Sequence, residues 1–177
     1  MVDGMAADGI AGASRAALET SVASLYEAHY MSLARLALQL VGDPETAEDV
    51  VQDVFTALQR RGDPAVLDDP RRYLNTAVVN RSRSALRRRR VARAFRADRA
   101  AAVEAADATS LRAAEHARVL RALDRLPRRQ REVLVLRYFR DLSVTEIAAV
   151  LGISASAVST SLSRGLKTLP THLGRNS

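Results

Sequence analysis

The residues whose types and spacing are best suited to chemistry lie in the C-terminal third of the chain. Ser143 and Glu146 have the spacing of a capping box, in which each side chain satisfies a free backbone amide at a helix start. Gly152 can take the left-handed conformation that ends a helix. The small and apolar residues around them are spaced as in two helices that cross at a tight turn: Ile147, Ala148, Leu151, Ile153 and Val158. This pattern predicts a helix-turn-helix.

The second helix of this motif has an outer face of short hydroxyls and two cations. Such side chains can contact phosphates and base edges when a helix enters the major groove of DNA. An ordinary helical hairpin with a polar face is the alternative. It is the weaker interpretation, because the capping box is followed by Ala148, Gly152 and Val158 at the spacing of a helix-turn-helix. The outer face consists of Ser156, Ser159, Thr160, Ser163, Arg164 and Lys167.

The middle of the chain contains an arginine-rich helix, Arg71 to Arg99. Residues 71–100 hold 11 Arg and one Asp, a net charge of +10. Arginine binds phosphate in a bidentate manner and stacks on bases, and Asn80 could read a base edge. A solvated helix or a nonspecific polyanion patch is the alternative. The cations that project from this helix are Arg81, Arg83 and Arg87 to Arg90.

An acidic helix precedes the basic one. Residues 1–70 hold four basic and twelve acidic side chains, a net charge of −8. Asp49 and Asp53 are four residues apart and therefore lie on one side of the helix, near Glu48 and Gln52. A carboxylate pair raises the question of metal binding or acid–base catalysis. No His and no third carboxylate in register accompany it, so a solvated face is the better interpretation of this helix alone.

Composition excludes several classes of protein. Cysteine is absent, so disulfides, thiolate metal sites and Cys nucleophiles are excluded, and the three scattered His make a zinc site improbable. We therefore predict no cofactor, no metal and no enzymatic activity. No apolar run reaches the roughly 20 residues that span a bilayer, and the N-terminus has no signal-peptide pattern. These features predict a cytoplasmic protein without membrane insertion.

The apolar periodicity predicts an all-α fold of two small helical domains joined by a flexible linker. Asp43-Pro44 and Asp69-Pro70 are helix starts, because Asp can cap and Pro suits the first helical position. Pro170 is expected to stop the last helix. The predicted segments are a disordered tail at 1–18, a domain at 19–97, a linker at 98–117 and a second domain at 118–170.

Taken together, these segments resemble extracytoplasmic-function (group 4) sigma factors of the sigma-70 family. Ala47–Phe55 resembles the polymerase-binding helix of that family, and Tyr73–Arg81 with the following Arg run resembles the helix that engages the −10 element. Leu126–Leu134 and Leu142–Gly165 resemble the domain that reads the −35 element. The domains are therefore expected to be like sigma region 2 and sigma region 4.

The resemblance implies partners and roles. The partners would be core RNA polymerase, through the clamp helices of its largest subunit and its flap, and promoter DNA; an anti-sigma factor is a further candidate. The loop 62–69 would hold a flipped −10 base, and the linker would thread toward the RNA path through Asp98, Glu104, Asp107 and Glu115. Polymerase binding would fall to Asp49, Gln52, Asp53 and Phe55. The −10 contacts would fall to Tyr73, Asn80, Arg81, Arg83, Arg87 and Arg88. The −35 contacts would fall to the outer face of the last helix.

Three residues depart from the family pattern. Ser159 and Ser161 stand where the family usually has a basic residue, which predicts weaker or differently specified −35 binding because fewer phosphates are neutralised. Tyr73 stands where the family commonly has Trp, and it keeps an aromatic anchor.

The resemblance thus implies a factor that binds core polymerase, recognises the −35 and −10 elements and promotes melting. The main alternative is a stand-alone helix-turn-helix regulator, which would bind its site without polymerase and would not need the acidic helix. An adaptor that holds polymerase but not DNA conflicts with the arginine helix. A nuclease that uses Asp49 and Asp53 is the enzymatic alternative, and a metal-dependent cleavage assay would reveal it. The sequence does not specify the promoter, the regulon or the inducing signal.

Overall fold

The computed structural model describes residues 5–61, 67–96 and 111–174, and all of its regular elements in these ranges are helices, which confirms the predicted all-α class. Residues 62–66 of the predicted base-binding loop lie outside the described residues, as do residues 97–110, which include Asp98, Glu104 and Asp107 of the predicted linker 98–117. The seven helices are α1 (Met5–Val41), α2 (Pro44–Arg61), α3 (Pro70–Arg96), α4 (Leu111–Asp124), α5 (Arg128–Phe139), α6 (Val144–Leu151) and α7 (Ala155–Gly174).

The first three helices form one unit, which we call the first unit. Each pair of these helices is in contact, so all three contribute to one core. The apolar stripe predicted for α2 is buried, and it meets leucines of α1 and α3. Fully buried side chains of this core include Leu33, Leu36, Val51, Val54, Leu58, Leu74 and Val78.

Local chemistry sets the boundaries of these helices as the sequence predicts. Gly42 has a φ of 85°, in the left-handed region, and it ends α1. Asp43 then caps α2, because its Oδ1 accepts a hydrogen bond of 2.9 Å from the amide of Thr46. Asp69 caps α3 in the same way, with 2.8 Å to the amide of Arg72.

Helices α4–α7 form the second unit, and α6 and α7 are the predicted helix-turn-helix. The capping box is present: the Ser143 hydroxyl accepts from the Glu146 amide at 3.2 Å, and the Glu146 carboxylate accepts from the Ser143 amide at 2.7 Å. Gly152 has a φ of 65° and ends α6. The two helices meet at a bend of 104°. Val133, Leu136, Ile147 and Val158 are fully buried beneath them.

Three boundaries differ from those predicted. Residues 5–18 lie in α1, where a disordered tail was predicted; this segment is rich in Ala, the strongest helix former. Helix α4 begins at Leu111, seven residues before the predicted start of the second domain at 118. Pro170 was predicted to stop the last helix, and this is wrong, because α7 continues to Gly174.

The continuation of α7 past Pro170 has a physical cause in its last turn. A proline removes one helical hydrogen bond, and the carbonyls at a helix end lack intrahelical partners. The Arg118 guanidinium of α4 donates two hydrogen bonds, of 3.1 and 2.6 Å, to the Leu173 carbonyl. This contact fixes the last turn of α7 against α4.

The two units pack directly on each other. Helix α5 contacts α1, and α6 contacts α3, so the described part of the chain has a continuous interface between its units. The sequence led us to expect an arrangement that depends on a partner. Within the described residues no single helix is long and apolar enough to cross a membrane; only the bent pair of α6 and α7 meets the length and composition criteria.

Candidate functional site

The polar face of α2 is exposed as predicted. Asp49, Gln52 and Asp53 all lie at the surface, on the side of α2 opposite its buried stripe. The Gln52 amide donates a 3.5 Å hydrogen bond to the Glu48 carboxylate, which keeps these side chains side by side. The result is a compact acidic surface with one amide.

Phe55 has a different position from the other three residues predicted for polymerase binding. Its side chain is only 5% exposed, and its ring packs edge-on against Tyr26, with 4.9 Å between centroids. Tyr26 stacks in turn on Tyr30 at 4.7 Å. Phe55 therefore supports the acidic surface from the core, and the half-exposed Tyr26 is the aromatic group at the surface. The sequence pattern did not single out Tyr26.

The predicted −10 residues lie along one helix, α3. Asn80, Arg81, Arg87 and Arg88 are exposed, and Tyr73 is half-buried. The Arg61 guanidinium lies over the Tyr73 ring at 5.5 Å, within the range of a cation–π contact. The Asn80 Oδ1 accepts a 3.2 Å hydrogen bond from Arg83. Helix α3 thus presents an aromatic group, an amide and several guanidinium groups.

The acidic and basic surfaces of the first unit meet at an ion pair. Arg81 Nη1 lies 3.2 Å from Asp53 Oδ2, and both side chains are about half exposed, at 44% and 53%. An ion pair with this exposure contributes little free energy, so either partner can exchange it for another ligand. Sequence reasoning assigned these residues to different partners and did not predict that they touch.

Arg83 makes the strongest contact of the predicted −10 residues, and it reaches across to the second unit. Its guanidinium donates to both oxygens of Glu132 on α5, at 2.7 and 2.8 Å. These hydrogen bonds raise the pKa of Arg83 above its ordinary value. The Glu132 side chain is 3% exposed, so this is a bidentate, largely desolvated pair.

A second contact between the units lies nearer the N-terminus of α3, about two turns before Arg83. Arg140, just after α5, donates a 3.0 Å hydrogen bond to Asn75 Oδ1, and both residues are buried. Arg71 donates to the Arg140 carbonyl at 2.9 Å. Burial and the neighbouring Arg71 lower the pKa of Arg140. Asn75 and Arg71 are 65 and 69 positions from Arg140 in the sequence, and no spacing pattern indicates that they meet.

The outer face of α7 is exposed over its whole predicted set, from Ser156 to Lys167. Two hydroxyls bond to the carbonyl one turn earlier: Ser159 to Ala155 at 3.1 Å, and Thr160 to Ser156 at 2.9 Å. Each hydroxyl oxygen keeps lone pairs that can accept a hydrogen bond from a base. Cationic side chains on this face are limited to Arg164 and Lys167 among the described residues of α7.

The inner face of α7 is held close to α5. Val158 is fully buried, and Gly165 is buried against Leu134. A Cβ at position 165 would lie 2.8 Å from Leu134 Cδ1, closer than real Cβ contacts. A larger residue at position 165 would therefore force the buried Leu134 side chain to shift, and glycine allows α7 to lie close to α5.

The described residues contain no group of three or more His, Asp or Glu that could hold a metal ion. A groove of about 1250 Å³ lies between the units. Its charged lining is dominated by arginines from α3, α4 and α5, with Asp124 as the one carboxylate in the lining. This chemistry suits a polyanion or an acidic protein segment.

Comparisons with known proteins agree with this arrangement. The sigma-70 region 2 family matches residues 25–91, and the sigma-70 region 4 family matches residues 116–169. The chain is similar to RNA polymerase sigma-E factor of Streptomyces coelicolor, with 34% identity over 78% of this chain and 77% of that protein. It is also similar to ECF RNA polymerase sigma factor SigL of Mycobacterium tuberculosis, with 31% identity over 90% of both chains.

A solved structure resembles the whole chain. CnrH, solved in complex with the cytosolic domain of CnrY, aligns with a TM-score of 0.66 and 28% identity over 94% of this chain and 96% of that one. The first unit therefore corresponds to region 2 and the second unit to region 4. The chain belongs to the extracytoplasmic-function group of the sigma-70 family: it is an RNA polymerase sigma factor, which directs core polymerase to promoters.

Proposed function

We propose that region 2 binds the polymerase and the −10 element through adjoining surfaces of α2 and α3, while region 4 reads the −35 element through α7. One observation supports this division most strongly. The polar faces of α2, α3 and α7 are all exposed, and the chain matches region 2 and then region 4 along its sequence. The chain acts in the cytoplasm, on polymerase, and carries out no catalysis itself.

The acidic surface of α2 is the proposed polymerase contact. Asp49, Gln52 and Asp53 are exposed, and the clamp helices of the largest subunit are the expected partner. Asp53 has to exchange Arg81 for a polymerase cation, which its half-exposed pair permits at low cost. That exchange would also release Arg81 toward DNA, so polymerase binding and −10 binding support each other.

Helix α3 is the proposed −10 contact. Arg81, Arg83, Arg87 and Arg88 supply charge for the non-template strand, and Asn80 supplies an amide that can read a base edge. Tyr73 offers a half-buried ring on which a base can stack. Extruding a base costs a few kcal/mol of unstacking, and pocket contacts have to offset this cost.

The outer face of α7 is the proposed −35 contact. The hydroxyls of Ser156, Ser159, Thr160 and Ser163 would hydrogen-bond to bases or phosphates, and Arg164 and Lys167 would neutralise phosphates. With few cations on this helix, −35 binding should depend less on salt than binding through α3 does.

We further propose an anti-sigma factor as a protein partner. CnrH was solved bound to the cytosolic domain of CnrY, which supports the expectation that a protein also binds this chain. The arginine-lined groove between the units offers an acidic segment of such a partner a complementary surface.

Transcription in vitro tests the proposal. Purified protein is added to core bacterial polymerase on a pool of genomic promoter fragments, with Asp49→Arg/Asp53→Arg in parallel. Specific run-off transcripts are expected from the wild type and not from the double variant, because two charge reversals oppose the clamp contact. Glu27→Arg is the control, since it reverses an exposed acidic residue of α1 and leaves α2 unchanged.

Two results would contradict the proposal. Equal transcription by the double variant and the wild type would remove the assigned role of α2. Binding of a defined duplex by the protein alone, with no transcripts in the presence of polymerase, would make the chain a stand-alone regulator.

A further inference from the structure

The groove between the two units contains more positive charge than the described carboxylates neutralise. Eight arginines line it: Arg83, Arg87, Arg89, Arg90, Arg121, Arg125, Arg128 and Arg131. Carboxylates pair with half of them, in four contacts: Arg83–Glu132, Arg128–Glu132, Arg89–Asp43 and Arg131–Asp124. The other four arginines have no carboxylate partner among the described residues.

The unpaired arginines come from both units. They are Arg87 and Arg90 of α3, Arg121 of α4, and Arg125, which directly follows α4. All four are exposed, and none makes an ion pair or a side-chain hydrogen bond with another described residue. Asp124, the carboxylate in the lining, is bound to Arg131 at 2.7 Å. Because guanidinium groups repel each other across the groove, an anion with several charges would be stabilised between them.

The first turn of α5 adds a second source of positive potential at the edge of the groove. Leu126, Pro127 and Arg128 belong to the lining. Pro127 stands at the N-cap and provides no side-chain hydrogen bond to the first turn, and that turn contains no acidic residue. The positive end of the helix dipole therefore lacks a negative group in its first turn. Phosphate binds at helix starts of this kind, and here the arginines supply the rest of the site.

The chemistry of the lining favours a chain of phosphates over other anions. A guanidinium can donate two parallel hydrogen bonds to a phosphate, and Asn80 and Ser84 add neutral polar groups. A groove of about 1250 Å³ has room for several linked phosphates. No aromatic ring is present among the described residues that line it, so it lacks the stacking platform that single-stranded nucleic acid uses.

We infer that this groove is a binding site for a soluble oligophosphate, an anion of several linked phosphates, held by Arg87, Arg90, Arg121 and Arg125. The inference goes beyond the proposed function and does not depend on which surface binds polymerase. Arg87 is shared with the proposed −10 contact, and an acidic segment of a protein partner would use the same groove. An oligophosphate bound there therefore competes with such a segment and reduces the charge that α3 offers to DNA.

Calorimetric titration of the full chain with inorganic tripolyphosphate, in a magnesium-free buffer of physiological ionic strength, tests the inference. The wild type is compared with Arg121→Gln/Arg125→Gln. Both side chains are exposed and unpaired among the described residues, and neither has a role in the proposed polymerase or promoter contacts. Arg35→Gln/Arg72→Gln is the matched control, since it removes two exposed arginines that lie outside the groove. Circular dichroism checks that both variants remain helical.

We expect saturable binding of tripolyphosphate to the wild type, and an affinity about tenfold lower in Arg121→Gln/Arg125→Gln, because two charge-assisted contacts are lost. The control variant should change the affinity by about twofold or less, since exposed charges far from the ligand are screened by salt. Titration with ATP identifies the source of the phosphates. Equal affinity for ATP and tripolyphosphate would identify the phosphate chain alone as the recognised group, and tighter binding of ATP would identify a nucleotide.

Three outcomes would overturn the inference. Absence of saturable binding for both phosphate compounds would show that the groove is not a site. An equal loss of affinity in the groove variant and the control would show that net charge alone attracts the anion. Tighter binding of an oligothymidylate strand than of tripolyphosphate, weakened in the groove variant, would assign these arginines to DNA. The proposed function fails separately, in the transcription assay with Asp49→Arg/Asp53→Arg, whose residues lie outside the groove.

Discussion

Region 2 and region 4 each carry a helix that we propose contacts DNA, and the chemistry of the two helices differs. Helix α3 carries ten arginines and no acidic residue between Pro70 and Arg96. Helix α7 carries one arginine, one lysine and a face of hydroxyls. Charge attracts the DNA backbone irrespective of sequence, whereas hydroxyls discriminate by position. If both helices contact DNA as we propose, α3 should supply more of the ionic attraction than α7, and α7 should supply mainly directional contacts.

The largest expected effect tests whether the two regions also differ in stability. Leu74 in region 2 and Leu136 in region 4 are 1% and 0% exposed. Leu74→Ala and Leu136→Ala should each lower the free energy of unfolding by about 2–5 kcal/mol, because each leaves a cavity in a packed core. Urea unfolding followed by far-UV circular dichroism measures both.

The shape of these unfolding curves sharpens the comparison. A single transition shifted by either variant would show that the regions unfold together, whereas two transitions would show independent domains. Leu166→Ala, at a side chain that is 42% exposed, is the control and should change stability little. A loss below about 1 kcal/mol in both core variants would contradict the described packing.

Removal of charge tests the ionic contrast directly. Arg164→Gln/Lys167→Gln should lower the slope of log affinity against log salt for duplex DNA by about 1.8, and Arg87→Gln/Arg88→Gln should lower it for single strands by about 1.4. Helix α7 should then lose its own ionic contribution, while α3 retains eight arginines. Fluorescence anisotropy at several salt concentrations measures these slopes.

A gain of charge provides the converse experiment. Ser159 is exposed on α7 at a position where the family usually has a basic residue. Ser159→Arg should strengthen duplex binding and steepen the slope by about 0.9. An unchanged slope would show that position 159 does not face phosphate in the complex.

Loss of a helix cap should lower the free energy of unfolding by a smaller amount, and the loss should differ between the two regions. Ser143→Ala should lower the free energy of unfolding by about 1 kcal/mol, since it removes one half of the capping box of α6. Asp43→Ala should cost more, because Asp43 caps α2 and also pairs with Arg89 of α3. Ser143→Asp, which can still cap, is the control for position 143. An equal loss in Ser143→Asp and Ser143→Ala would show that capping is not the cause.

The smallest expected effect concerns pH and the contact between the regions. Burial, and then the cations Arg140 and Arg71, lower the pKa of His29 below its ordinary value of 6.5. The unfolded or separated chain binds a proton there more readily, so stability contributed by the packed state is full above pH 6.5 and declines as the pH falls below it. Energy transfer between dyes on Gln59→Cys of α2 and Ala149→Cys of α6, two exposed positions in a chain that has no cysteine, should therefore decrease modestly between about pH 7.5 and 5.5.

Replacement of His29 is the control for this pH effect. His29→Gln should abolish the decrease, whereas the same substitution at His172, in the last turn of α7, should leave it unchanged. A decrease that persists in His29→Gln would assign the titration to another group.

Much of the fold could be predicted because the features that start and end these helices are local. Asp43, Asp69, Ser143 and Gly152 each act on backbone groups within a few residues, and the buried stripe of α2 follows directly from its periodicity. The exposure of the three polar surfaces follows from the same periodicity. A single sequence contains this information.

The rest depends on residues that are distant in sequence. The extension of α7 beyond Pro170 relies on Arg118, which lies 55 positions before Leu173. The contacts between the units join Arg83 to Glu132 and Asn75 to Arg140, across 49 and 65 positions. The periodicity of α2 predicts that Phe55 is buried, but it does not predict the contact of its ring with Tyr26 of α1. The binding roles of the surface residues stay predictions.

The packing of Gly165, on the inner side of α7, has a consequence for how this protein can evolve. Gly165 and Val158 are buried on that inner side, and the exposed hydroxyls of Ser156, Ser159 and Ser163 take no part in the packing. If the outer side reads the −35 element as we propose, substitutions there can alter which promoters are read with little change in the free energy of unfolding. Such separation allows duplicated copies of the chain to acquire new, non-overlapping sets of target genes while they retain the same scaffold.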